Sequence, residues 1–344
     1  MRTNCFTLLR YLFALTVFCN HLCVLTDSDR FLFSSLICVG GFFAMSGFLT
    51  FNSYNQTPNP FRFAVKRFRR IYPPYALAVM FGLCAGLFVT SLPIADFLSN
   101  SQTLRYLFFN LVFLNYAQPT LPGVFETNVQ PFINGALWTM KVEVLFYVTV
   151  PIVHWLIGKY GKNRVLLPII ICSLVFYYTM LAMYVATDDK FFYSMTHQII
   201  AVLPYFYIPV FLLYNFEWVK SHIKTIMLVS SVLMIPCLST TVDSFFLPLV
   251  LPVWIVSFAY GCKWLLFSAK WKDVSYQFYL FHFPVLQLSI AIRRHIYYLY
   301  CGGCPVCNHL YSYLSLHDYT HHRFTTIICC QYSYPHITIH VIRL

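Results

Sequence analysis

FTLLRYLFALTVFCNHLCVL, residues 6–25, decides the class of this chain. Only Arg10 and His21 interrupt a run that is otherwise apolar or neutral. A bilayer core takes about 20 apolar residues per helix, so the run reads as a transmembrane span. The same rule applied outward gives eight further candidates, at residues 31–51, 72–92, 137–157, 165–186, 198–214, 223–240, 245–262 and 274–292. The apolar run at 104–116 is too short and is expected to be interfacial or re-entrant. Composition agrees. The 344 residues are 59% hydrophobic and 10% charged, with mean hydropathy +0.66. A soluble domain has about 45–50% apolar and about 25% charged residues. Disorder, a coiled coil and an ordinary cytosolic enzyme are excluded, and 13 Cys are too sparse for a disulfide scaffold. The expected fold is an all-α polytopic membrane helix bundle of nine spans.

The charges give the orientation. Lys+Arg number 23 against 11 Asp+Glu, a net +12. Arg62, Lys66, Arg67, Arg69 and Arg70 fall in one loop, and Lys159, Lys162 and Arg164 in another. Lys220 with Glu217, and Lys263, Lys270 and Lys272 with Asp273, fall in two more. The intervening loops carry Asp27, Asp29 and Arg30, then Asp96, Arg105 and Glu126, then Asp188, Asp189 and Lys190, then Asp243. This alternation obeys the positive-inside rule with a cytoplasmic N-terminus. Arg2 before an apolar run also fits a signal peptide, but Arg10 interrupts the run and a second span follows almost at once. The run is therefore read as the first span of the mature protein.

Residues 1–292 form the expected membrane domain, and residues 293–344 differ from it. This tail holds 7 of the 12 His and 5 of the 13 Cys, with no Lys, no Glu and no run long enough to span. Cys301, Cys304 and Cys307 with His309, His321 and His322 have the residue types of a metal site. A lone triple-Cys spacing is a weak signal, so no metal is expected. The abrupt change of composition points to a change of reading frame. Sequencing the gene around codons 290–300 tests this.

Ionisable groups inside spans are costly and are candidates for function. Arg10 and His21 share a face of the first span, about 16 Å apart along the axis. Glu143 is the one acid well inside a span, His282 lies in the last, and Lys141 and His154 lie near the ends of the fourth. By depth from the outer surface Glu143 and His21 can meet, and a carboxylate there would orient the imidazole. The plain alternatives are an Arg10 that snorkels to headgroups and a His21 capped by a carbonyl. Five cations within Arg62–Arg70, directly before Tyr72-Pro73-Pro74-Tyr75, exceed what topology needs and suit a phosphorylated ligand.

Five segments resemble the integral-membrane acyltransferase family 3, which includes polysaccharide and lipopolysaccharide O-acetyltransferases. Arg10 and His21 are similar to its R-x10-H signature, and Gly41-Phe42-Phe43-Ala44-Met45-Ser46-Gly47-Phe48 to its FF-x-x-SGF segment. Arg67-Phe68-Arg69-Arg70 with Pro73 resembles its R-x-x-R-x-x-P element. Trp138 through Glu143, then Phe146-Tyr147 and Pro151, resembles its W-x-L-x-x-E…FY…P segment. Ser275-Tyr276 through His282 and Pro284 resembles the last motif. Lys141 departs from the pattern, and the family's usual tenth span has no counterpart.

The resemblance implies transfer of an acetyl or other short acyl group from acyl-coenzyme A, acetyl-CoA above all, to a hydroxyl of a cell-surface or lipid-linked glycan. O-antigen and capsule are acceptors of that kind, and the bacterial inner membrane is the implied location. Arg67, Arg70 and Arg10 would hold the donor phosphates, with Ser46 bonding donor or backbone. His21 would act as base or transient acyl carrier and Glu143 would orient it. His282 is expected to be a structural hydrogen-bonder. Membrane lipids surround the domain, and no nucleic acid partner is expected. Two other readings stay open at this point: a transporter or flippase of a lipid-linked sugar, and an inactive truncated acyltransferase.

Overall fold

The computed structural model describes residues 4–28, 34–238, 245–301, 326–333 and 336–343. Arg2, Asp29, Arg30, Asp243, the first three residues of the 31–51 span and the last two of the 223–240 span lie outside these. So do Cys304, Cys307, His309, His321 and His322 of the tail.

Nine helices correspond to the nine expected spans. They are α1 (Phe6–Leu25), α2 (Ser35–Gln56), α3 (Pro60–Val89), α6 (Trp138–Tyr160), α7 (Lys162–Thr187), α9 (Ile199–Tyr214), α11 (Ile223–Cys237), α12 (Leu247–Gly261) and α13 (Ser275–Cys301). Short helices α4 (Ile94–Ser99), α5 (Ser101–Leu111), α8 (Lys190–Met195) and α10 (Phe216–Ser221) link them. Among the described residues, six helical stretches, α8–α9 taken as one, are long and apolar enough to cross a membrane, and α11 and α12 are shorter apolar helices. Their outer faces carry large exposed apolar side chains such as Phe88, Val185, Leu228 and Ile235. That is the surface lipid covers, since hydrocarbon gives no reason to bury it.

Two boundaries move in ways that shape the interior. α2 runs on to Gln56, five residues past the expected end at 51, so Ser46 lies at mid-helix. α3 begins at Pro60, twelve residues before the expected start at 72. Pro60 stands in the first turn, where its missing N–H costs nothing, and the Asn59 side chain accepts from the Arg62 amide at 2.9 Å. The basic segment therefore lies in the first three turns of a 30-residue helix that tolerates Pro73 and Pro74 within it.

After α5, a capped 11-residue helix over part of the 104–116 run, the chain dips into the bundle as irregular backbone. Such backbone is tolerated at depth only where side chains satisfy it. Gln287 Nε2 donates to the carbonyls of Gln130 at 2.6 Å and Phe132 at 2.7 Å, and Asn128 Nδ2 donates to Gln287 Oε1 at 2.7 Å. Asn134 Nδ2 donates to the Leu280 carbonyl at 2.8 Å. Ile133, Ala136 and Leu137 of this segment are buried. α6 consequently starts inside the bundle.

Contacts divide the chain into Met1–Gln287 and Leu288–Leu344. The second unit contains two antiparallel strands, β1 (Thr326–Ser333) and β2 (His336–Arg343), with Thr326 opposite Arg343. Their Thr, Ile and Val content suits strands.

Candidate functional site

A cavity of about 780 Å³ opens among α1, α2, α3, α6 and the start of α13. Arg10, Ser46, Arg67, Arg70 and Glu143 all line it, with Lys66, Tyr147, Asp273 and Tyr276. Helical spacing explains the basic wall. Lys66 and Arg67 stand four and three residues before Arg70, so all three reach one side of α3, whereas Arg62 and Arg69 are not on the cavity.

Arg67 is the cation that matters most here. It is only 8% exposed, and its Nε has no hydrogen-bond partner. Its guanidinium carbon lies 5.2 Å from the Phe63 ring centroid and 5.5 Å from that of Tyr147. Aromatic faces soften a buried cation but leave its donors free for an anion. Glu143 accepts a short hydrogen bond from the Tyr147 hydroxyl. Tyr147 also bonds Ser46 Oγ at 3.2 Å, joining α6 to α2. The side chain of Tyr276 donates to the Ile71 carbonyl at 3.1 Å and ties α13 to α3.

Arg10 does not snorkel. It forms an ion pair with Asp273, in the loop before α13. Burial alone would raise the Asp273 carboxyl. The opposing Arg10 charge and hydrogen bonds from Ser275 and Arg10 more than offset this and hold it below its ordinary value. Ser275 Oγ donates to Asp273 Oδ1 at 2.6 Å.

His21 and Glu143 do not pair. α6 starts inside the bundle, so Glu143 faces the basic cavity with Ser46, while His21 is not among the cavity's lining residues. His21 Nδ1 instead meets His282 Nε2 at 2.7 Å, with the rings stacked at 5.0 Å between centroids. His282 Nδ1 lies 2.7 Å from the Tyr279 carbonyl, and Tyr279 lines the cavity one turn away. His282 thus does make structural hydrogen bonds, one of them to His21 itself. Lys141 donates to Gln198 Oε1 at 3.3 Å and sits over the Tyr116 ring, while His154 packs against Phe51 and Tyr54. Neither lines the cavity.

In sequence Asp273 is only a loop charge. The signal available was its position as the lone acid in a loop otherwise basic at Lys263, Lys270 and Lys272. The pairing of first-span and last-span histidines had a weaker signal: both are imidazoles that a membrane interior must satisfy.

These features define an integral membrane protein with a polar, cationic chamber inside its helix bundle. The family profile described as an acyltransferase domain, the acyltransferase family 3 resembled above, matches residues 4–306, and the chain belongs to that family. Over 121 residues the chain is 30% identical to Nodulation protein 10 of Rhizobium leguminosarum bv. viciae. That stretch is 32% of this chain and 30% of the length of that relative. No solved structure matches the chain.

Proposed function

We propose that this membrane acyltransferase takes an acetyl or other short acyl group from acyl-coenzyme A at the cytoplasmic face of a bacterial inner membrane. It delivers the group to a hydroxyl of a cell-surface or lipid-linked glycan, such as O-antigen or capsule. The observation that carries the reading is Arg67: a buried guanidinium with a free Nε, on a chamber it shares with Lys66 and Arg70. A cation kept inside a bundle without its full set of partners suits an anionic ligand. Coenzyme A combines phosphates with a long flexible arm that ends in the thioester. With the phosphates at Arg67 and Arg70, that arm would lie in the same cavity as Ser46 and Glu143.

His21 supplies the base. The acceptor hydroxyl gives its proton to the imidazole as its oxygen attacks the thioester carbonyl carbon. The C–S bond then breaks, and the proton passes to the departing thiolate. An acyl-histidine route draws on the same nitrogen lone pair.

Membranes carrying the protein, given radiolabelled acetyl-CoA, are expected to release free coenzyme A and label glycan. His21→Ala abolishes both while the protein still inserts. Arg67→Ala raises the KM for the donor by at least about tenfold, the size of a lost charge-assisted hydrogen bond, and leaves acceptor use unaltered. Donor left intact by the parent chain, or an unchanged donor KM in Arg67→Ala, refutes the reading. Movement of a lipid-linked sugar without donor consumption would make the protein a flippase.

A further inference from the structure

We propose that His282 is the positioning residue that fixes the tautomer of His21, so that His21 presents Nε2 as a bare lone pair. The inference rests on the base role assigned to His21 above and goes beyond it, to the proton arrangement that makes the role possible.

The Tyr279 carbonyl oxygen, 2.7 Å from His282 Nδ1, can only accept, so that nitrogen must carry the proton. In a neutral ring the other nitrogen, Nε2, is then an acceptor. It lies 2.7 Å from His21 Nδ1, which must therefore be the donor. With its one proton on Nδ1, neutral His21 is left with Nε2 unprotonated. Both rings lie inside the bundle, where a charge is costly, and Glu143 is engaged with Tyr147. The neutral pair is the state these surroundings favour.

The geometry allows little else. His282 is 4% exposed, and its ring is flanked by Phe18, Phe278 and Phe283. His21 is held edge-on to Phe283 at 5.1 Å. The polarity runs one way from a backbone carbonyl of α13, through His282, to His21 on α1. This is the arrangement a triad obtains from a carboxylate, in which a second group sets which imidazole nitrogen is basic. Here a neutral imidazole does so without a buried negative charge.

Two measurements test the proposal. The first is nitrogen-15 magnetic resonance on histidine-labelled full chain in lipid bilayers, with His21→Gln and His282→Gln used to assign the signals. Both rings are expected in the Nδ1–H form. An Nε2–H signal for His21 overturns the proposal whatever reaction the protein performs. The second is kinetic. His282→Phe, confirmed to insert, is expected to lower kcat on the order of 100-fold, the lower range for loss of general-base catalysis, with donor KM unchanged. His282→Gln keeps an acceptor oxygen near the Nε2 position and a donor for the Tyr279 carbonyl, and is expected to recover much of the rate. Equal kcat in His282→Phe and the parent chain, or no recovery with Gln, overturns it. If the parent chain consumes no donor, the reading under Proposed function fails, and the resonance measurement still decides the tautomer.

Discussion

At the scale of single residues, the chamber separates two jobs that the sequence had assigned to one set of side chains. Arg67 keeps its Nε free, whereas Arg10 is already paired with Asp273. Arg10 is therefore a cation with a fixed address on α1, held by the loop that enters α13. The pair has a pH signature. Asp273 has a folded-state value below its ordinary 3.8, because Arg10 and Ser275 outweigh the effect of burial. A depressed carboxyl stabilises the folded chain fully above its ordinary value, and the effect is lost as pH falls from there through the depressed value. Asp273→Asn is expected to melt below the parent chain at pH 7 in detergent. The two melting temperatures should converge as the pH falls below 3.8. A gap that persists undiminished into strong acid would show that the charge of Asp273 is not what holds Arg10.

At the scale of elements, α2 is shared between chemistry and packing, and adjacent residues divide the work. Ser46 faces the chamber and bonds Tyr147. Gly47 faces α9, so closely that a Cβ there would lie 2.2 Å from the Phe206 carbonyl oxygen. That neighbour is backbone and cannot swing aside. Gly47→Ala is expected to force α2 and α9 apart and destabilise the bundle by roughly 1–3 kcal/mol, the usual size of overpacking. Gly158, on α6, has nothing within 4 Å of the same position. Gly158→Ala should hold or slightly raise the melting temperature, by removing freedom from the unfolded chain. Thermal melts of both variants in detergent check the contrast, and equal behaviour would remove the close approach as the reason for glycine at 47. The sequence located α2 by hydropathy, but could not say that it continues to Gln56. The residues beyond Phe51 are polar, and a run-length rule stops where apolar character stops, whereas the helix does not. For the same reason the rule began α3 at 72 and left the arginines in a loop.

At the scale of the whole molecule, what was legible is what depends on one-dimensional pattern. Nine apolar runs became nine helices, but Arg67 and Arg70, read as loop charges, share a helix face because α3 already begins at Pro60. What was not legible depends on chain that enters the bundle without being apolar or helical. Asn128, Gln130 and Asn134 look like an outer loop in sequence, yet they are pinned to α13 through Gln287 and Leu280. Across the bundle Glu143 bonds Tyr147, and His21 meets His282. Orientation is the remaining claim at this scale, and the proposed donor depends on it. The chamber is lined by Lys66, Arg70 and Lys272, which belong to the basic set of connections. If those connections face the cytoplasm, the chamber opens where acyl-coenzyme A is found. On that reading Lys159 at the end of α6 faces inward and Lys190 at the start of α8 outward, and both are exposed. Each can be replaced by Cys and challenged with a membrane-impermeant maleimide in spheroplasts, with the parent chain as the blank for native thiols. Lys190→Cys should gain label in intact spheroplasts, and Lys159→Cys only after permeabilisation. The reverse pattern would turn the chamber to the outside and remove coenzyme A as its ligand. Label at both sites before permeabilisation would break the alternation on which the nine-span topology stands.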